Sequence, residues 1–128
     1  MRSLTRVLAF VCLFALLSMA GCQKLEVEKT YKMSPGQIQI MEIDPPKRDQ
    51  DVSVAITATG PLDVYIAKDT DAREANEKIA APKNPLGAKQ GIEKDTVTAK
   101  VPAKTGYGIV LLNAKKKDTD VTLKLTAK

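Results

Sequence analysis

Hydrophobic and polar residues alternate along most of the chain after residue 24, with the period of two that is typical of strands with one buried face. The pattern predicts strands at residues 25–32, 37–43, 51–59, 62–67, 95–101, 106–113 and 120–127. Turn or edge signals separate them, at Pro45-Pro46, Gly60-Pro61, Pro102 and Gly106. About seven short strands predict a single all-β domain over residues 25–128, an antiparallel β-sandwich of jelly-roll or immunoglobulin-like type.

The apolar members of each alternation are expected to face the core. They are Ile38, Ile40, Val52, Val54, Ile56, Ala58, Leu62, Val64, Ile66, Val97, Ala99, Val101, Val121, Leu123 and Leu125. Strand 106–113 differs, because Ile109 and Leu111 face one way while Val110 and Leu112 face the other. We therefore predict that it is central and covered on both faces.

The stretch 69–95 breaks the alternation. Asp71 and Glu74 have the spacing of a capping box, and the residues that follow predict a short helix at 72–80 that Pro82 would stop. A loop is expected to continue to residue 95. Variable function is expected in such an excursion from a tight β framework.

The N-terminal segment has the three parts of a secretory signal. Arg2 and Arg6 precede an apolar run at 7–17, and small residues lead to Gly21. A membrane-spanning helix needs about 20 apolar residues, so a signal removed at residues 1–21 fits better than a span. Retention as a short anchor is the alternative.

The residues Met19-Ala20-Gly21-Cys22 resemble the lipobox of bacterial lipoproteins, with methionine where leucine is usual. The resemblance implies diacylglyceryl on the sulfur of Cys22, cleavage before it, and a membrane-anchored location outside the cytoplasm. Residues 22–24 would then form the lipidated N-terminus and a minimal tether. Gln23 is not the aspartate that retains such proteins in the inner membrane, which favours the periplasmic side of the outer membrane in a Gram-negative source. An ordinary signal followed by an accidental cysteine is the alternative.

Charge narrows the choice of partners. The chain has 20 basic and 15 acidic residues. Removing Arg2 and Arg6 with the signal leaves 18 against 15, a net charge of +3. This excess is too small for the concentrated basic face of a nucleic-acid binder. The expected partners are the membrane, through the lipid, and an envelope protein, with no nucleic acid.

The residues after the signal offer little for catalysis. Histidine is absent from the chain, Cys22 is expected to be acylated, and neither Ser34 nor Ser53 lies in a glycine-flanked elbow. We therefore predict a protein that is not an enzyme and has no cofactor.

Two groups of residues are candidates for binding. Asp69, Asp71 and Glu74 could supply oxygen ligands to calcium, but their spacing does not match an EF-hand loop, and helix capping explains them more simply. The run Lys115, Lys116 and Lys117 is a candidate for contact with an anionic surface, and Tyr65 for contact with a partner. A solvated hairpin tip is the alternative for the lysines.

The segment Gly60-Pro61-Leu62-Asp63-Val64-Tyr65-Ile66 resembles a strand of bacterial pre-peptidase C-terminal domains, which are jelly-roll-like accessory modules. Residues 107–111 and the last predicted strand, 120–127, lie where that family has its closing pair of strands. The resemblance implies a binding or accessory role. Two functions therefore follow from the sequence: a lipid-anchored binding or protein-interaction module of the cell envelope, or a structural, membrane-proximal lipoprotein that contacts an anionic surface through its lysines.

Overall fold

The structure, a computed structural model, describes residues 25–128. The predicted signal peptide and Cys22 lie outside this range. The described elements are β1 (Leu25–Met33), β2 (Ile38–Ile43), β3 (Gln50–Lys68), α1 (Asp69–Lys78), β4 (Gly87–Val101), β5 (Tyr107–Leu112) and β6 (Thr119–Ala127). Every paired strand is antiparallel to its neighbour, and the sheet has the order β1-β6-β3-β5-β2, with β4 also on β3. In this part of the chain no helix has the length and hydrophobicity needed to cross a bilayer.

The sheet folds into two layers, β1-β6-β3 and β2-β5-β3, and the long strand β3 belongs to both of them. Its first half, Val52–Ala58, pairs with β6, and its second half, Asp63–Lys68, pairs with β5. The predicted strands 51–59 and 62–67 are therefore two halves of one strand, which makes six strands where seven are predicted. Pro61 lies where the β3–β4 register is interrupted, between Thr57 and Leu62. Its missing N–H therefore breaks no ladder hydrogen bond, and the strand can bend there without ending.

The main core lies between the two layers and is lined by alternating side chains. Buried residues from the predicted inward sets are Val52, Val54, Ile56, Leu62, Val64, Ile66, Val97, Val101, Val121, Leu123 and Leu125. Ala58 and Ala99 are partly buried against them. The period-two prediction of the core is confirmed for these strands, and the fold is the predicted antiparallel β-sandwich.

A second, smaller core lies on the outer face of the β2-β5-β3 layer, beneath α1. Tyr65, Ala67, Ala72 and Val110 are buried there, and Ile38 and Ile40 pack against them. The prediction that β5 is covered on both faces is therefore confirmed. The prediction that Ile38 and Ile40 face the main core is wrong, because α1 provides a second apolar environment, and Met41 and Ile43 turn toward the main core instead.

The helix begins earlier than the sequence predicts. The amide of Asp69 still donates to the carbonyl of Gly106 (3.0 Å), so α1 starts directly at the end of β3. The predicted capping box is wrong, because Lys68 occupies the N-cap position and no side chain caps the helix. The helix also ends before Pro82: Ile79 adopts a left-handed conformation (φ 48°) and terminates it after Lys78.

The predicted loop up to residue 95 is also wrong in its second part. Gly87 to Lys94 belong to β4 and pair with β3 between Thr57 and Ile66. Ile92 is the only buried residue of that stretch. This part of β4 therefore shows no alternation, because backbone pairing holds it while both of its faces are largely exposed to solvent.

Tyr107 is fully buried, and its hydroxyl has no hydrogen-bond partner among the described residues. Burial raises the pKa of Tyr107 to about 12. We expect Tyr107→Phe to raise the free energy of unfolding by about 1 kcal/mol at pH 7, because it removes a polar group that is desolvated without compensation. Urea unfolding of both proteins at pH 7 measures this difference.

The free energies of unfolding of the wild type and of Tyr107→Phe should differ more at alkaline pH than at pH 7. The phenol in the unfolded chain ionises near pH 10, and in the folded chain near pH 12, so the wild type is expected to lose stability as the pH rises through this window. The difference from Tyr107→Phe should widen by about 1 kcal/mol between pH 7 and pH 11. A constant difference would show that the phenol is not desolvated.

Candidate functional site

A groove runs between α1 and the edge strand β2 on the outer face of the sandwich. Its volume is about 670 Å³. One side and the floor come from β2, and the other side comes from exposed positions of α1. The lining residues are Ile38, Gln39, Ile40, Glu42, Arg73, Asn76 and Glu77.

The outer edge of β2 is unpaired in the described part of the chain, because β2 pairs with β5 alone. Just before the strand, the amide of Asn113 donates to the carbonyl of Gln37 (3.0 Å). Since the direction of backbone hydrogen bonds alternates along an antiparallel strand, residues 39, 41 and 43 also point toward β5. The N–H and C=O groups of Ile38, Ile40 and Glu42 therefore point toward the free edge.

The groove combines this edge with an apolar floor and a charged rim. Ile38 and Ile40 form the floor and are only partly buried. At the rim, Arg73 Nε lies 3.5 Å from Glu42 Oε1, and these side chains are 67% and 62% exposed. An ion pair this exposed is weak, so both side chains are free to rearrange around an occupant. An extended segment would gain backbone hydrogen bonds at the edge and place alternate side chains on the isoleucines.

Two of the three calcium candidates, Asp71 and Glu74, line one cleft together with Lys78 and Lys83, and Asp69 does not line it. Asp69 Oδ1 accepts a hydrogen bond from the amide of Thr70 (2.8 Å), and Glu74 Oε1 lies 2.7 Å from Lys78 Nζ and 3.3 Å from Lys83 Nζ. Hydrogen bonds from Lys78 and then Lys83 lower the pKa of Glu74. Between residues 25 and 128 no group of three or more acidic, cysteine or histidine side chains could hold a metal ion. Glu74 therefore pairs with lysines near the end of α1, and Asp69 bonds the first turn of that helix.

Tyr65 does not lie on a free surface. Its side chain is 3% exposed beneath α1, and its hydroxyl accepts a hydrogen bond from Gln90 Nε2 (3.0 Å). The residue can influence binding only indirectly, through its packing under the helix.

The three lysines lie exposed in the loop between β5 and β6. This loop is held by Asn113, a fully buried residue that the hydrophobic pattern does not indicate. Its side-chain amide donates to the carbonyl oxygens of Met33, Ser34 and Lys117, and its Oδ1 accepts from the amide of Lys115. The available signal is an asparagine at the end of an apolar strand, since asparagine side chains commonly bond to turn backbone.

No family model matches the chain, and no curated protein matches it in sequence. Solved structures match it in fold. The Yersinia pseudotuberculosis-derived mitogen is similar with a TM-score of 0.58 and 6% identity, over 80% of this chain and 85% of that one. The pre-peptidase C-terminal domain of a collagenase from Bacillus anthracis gives a TM-score of 0.56 and 10% identity, over 79% and 89%.

A third similar structure is PliG of Aeromonas hydrophila, a periplasmic inhibitor of g-type lysozyme. It matches with a TM-score of 0.56 and 11% identity, over 83% of this chain and 87% of that one. At these identities the likeness concerns the fold alone. The resemblance of residues 60–66 and 107–111 to pre-peptidase C-terminal domains is thereby supported at the level of architecture.

Proposed function

We propose that this chain is a lipid-anchored binding or protein-interaction module of the cell envelope, without catalytic activity, and that it binds an extended segment of an envelope protein along β2. The free edge of β2 beside the isoleucine floor is the observation that carries the proposal. The lipobox-like residues before Cys22 support the anchor. A periplasmic lysozyme inhibitor and the pre-peptidase C-terminal domain of a collagenase have similar folds, which agrees with a binding role outside the cytoplasm.

The charge and shape of the groove favour a peptide over a small ligand. The groove lies along the unpaired edge of β2, and its volume leaves room above Ile38 and Ile40 for the side chains of a partner strand. Arg73 and Glu77 offer both signs of charge at the helix side, so a segment with alternating apolar and polar residues is complementary.

Crosslinking from a defined position tests this proposal. A photoreactive amino acid at Asn76, which lines the groove, is expected to give one discrete crosslinked product in cells that make the full chain. The same group at Thr96, an exposed residue of β4, provides the control. Equal products from both positions, or none from Asn76, would contradict binding in the groove.

A second variant separates the backbone edge from the side chains. Glu42→Pro removes an outward N–H and leaves the hydrogen bonds between β2 and β5 in place, whereas Glu42→Ala removes the same side chain and keeps the N–H. We expect Glu42→Pro to reduce the Asn76 crosslink about 10-fold and Glu42→Ala to have little effect, since a lost backbone hydrogen bond with strand distortion costs roughly 1.4 kcal/mol. If both variants reduce the crosslink equally, the partner recognises the carboxylate of Glu42 and does not add a strand to the sheet.

The alternative is a structural, membrane-proximal lipoprotein that contacts an anionic surface through its lysines, and the geometry does not favour Lys115, Lys116 and Lys117 for contact with the membrane that would hold the lipid. The predicted tether, residues 22–24, joins the domain at Leu25. Those lysines lie at the opposite end of β1. A tether of that length reaches only about 10 Å.

A further inference from the structure

The loop that carries Lys115, Lys116 and Lys117 is an ordered feature of the fold. The buried side chain of Asn113 forms four hydrogen bonds of 2.8 to 3.3 Å, two within the loop, with Lys115 and Lys117, and two that cross to Met33 and Ser34 at the end of β1. Two backbone hydrogen bonds add to this junction, from Gly36 to Asn113 and from Asn113 to Gln37. The loop is therefore fixed to the β1–β2 turn.

The position of this loop relative to the start of the domain follows from β1. The strand has nine residues, so at about 3.3 Å per residue the turn after Met33 lies roughly 26 Å from Leu25. The N-terminal end of the domain is marked by a cleft that Leu25 shares with Ile43, Asp44 and Pro46. We use the term lysine pole for the far end, which comprises residues 34–36 and 114–117.

Three adjacent ammonium groups lie at the lysine pole, and none of them forms an ion pair with a described residue. Asp118 and Asp120 follow in sequence, and both are exposed. The lysines line neither the groove beside β2 nor the cleft at Leu25. Three consecutive exposed lysines on a loop that is fixed to the fold match a ligand whose negative charges repeat.

We infer that the lysine pole binds an anionic polymer, such as a polyphosphate or polycarboxylate chain. Its direction, away from the membrane that holds the protein, rests on the proposed lipid anchor at Cys22. With that anchor the domain would link the membrane at one end to the polymer at the other. The chemistry of recognition is charge pairing, so binding should weaken as added salt screens it.

The test uses the full chain purified from membranes and reconstituted into phosphatidylcholine vesicles, which carry no net charge. Capture of labelled polyphosphate and of poly-glutamate is measured by vesicle flotation. The combined variant Lys115→Ala, Lys116→Ala, Lys117→Ala is expected to reduce capture about 30-fold. Comparison of the captured amounts of polyphosphate and poly-glutamate shows whether phosphate or carboxylate is the preferred group.

The matched control removes three positive charges from the other end of the domain. Lys47, Arg48 and Lys100 are exposed near the N-terminal end, where residues 49–51 and 100–102 line a shared cleft. Their combined change to alanine should reduce capture by less than about 3-fold, because charges more than a Debye length of about 8 Å away are screened. Equal losses in the two combined variants, or no capture by the wild type, would overturn the inference.

Flotation of the chain with the vesicles tests the lipid anchor separately in the same experiment. A chain that does not float with the vesicles contradicts lipid anchoring, and its binding to the two polymers is then measured in solution by fluorescence anisotropy. Loss of that binding in the Lys115–Lys117 variant still supports the polymer site, whereas unchanged binding overturns it.

Discussion

Gly108→Val is expected to lower the free energy of unfolding by about 3 kcal/mol and to move α1 away from the sheet. A Cβ atom at Gly108 would lie 3.1 Å from the Cβ of Ala72 and 3.3 Å from Cγ2 of Ile40, and valine adds two further methyl groups. The absence of a side chain at this position is what allows the helix to approach β5. Urea unfolding measures the loss, and faster amide exchange in α1 than in β6 would locate it.

A double-mutant cycle isolates the cause. Gly108→Ala and Ala72→Gly should each destabilise the domain by about 1 kcal/mol, the second through helix propensity. In the double variant the clash is removed, so its loss should be smaller than the sum of the single losses by about 0.5–1 kcal/mol. Strict additivity would show that close packing of helix and strand is not what Gly108 provides. Gly108→Val should also abolish the crosslink from Asn76, because one side of the groove would be displaced.

Asn113→Ala is expected to lower the free energy of unfolding by about 3 kcal/mol. The substitution leaves the carbonyl oxygens of Met33, Ser34 and Lys117 without the amide that they share, and the amide of Lys115 without its acceptor. It also opens a small space in a site that is fully buried. Denaturant unfolding at neutral pH measures the change.

The control for this variant is Asn84→Ala, which removes the same chemical group from an exposed loop position. It should change stability by less than about 0.5 kcal/mol. The loop after β5 is expected to exchange its amides faster in Asn113→Ala, while β3 remains protected. A stability loss without a local increase in exchange would mean that Asn113 supports the core and does not order the lysine loop.

Much of the fold can be predicted from alternation, because a strand with one buried face has an apolar residue at every second position. The inward residues of β6 and of both halves of β3 follow this rule, and so does β5 with apolar residues on both faces. The join at Gly60-Pro61 is mispredicted, since a bend and a turn carry the same residue signals. The first part of β4 has no alternating pattern in the sequence, because pairing with β3 holds this segment and neither of its faces is largely buried.

The candidate site could be predicted only in part. The sequence indicates an excursion after residue 68 and an apolar β2, but which strand edge remains free depends on the pairing of strands distant in sequence. For the same reason, Ile38 and Ile40 have the pattern of main-core residues, and only the position of α1 shows that they pack beneath the helix. Asn113 joins segments 80 residues apart, a relationship that no local pattern contains.

Attachment through Cys22 would determine both the location of the domain and the direction of its lysine pole. The intact mass of the chain extracted from membranes tests this directly. We predict a polypeptide that begins at Cys22, heavier by the mass of its attached lipid and recovered in the detergent phase, whereas Cys22→Ala gives no lipid adduct. A wild-type chain without added lipid mass, recovered in the aqueous phase, would contradict attachment through Cys22.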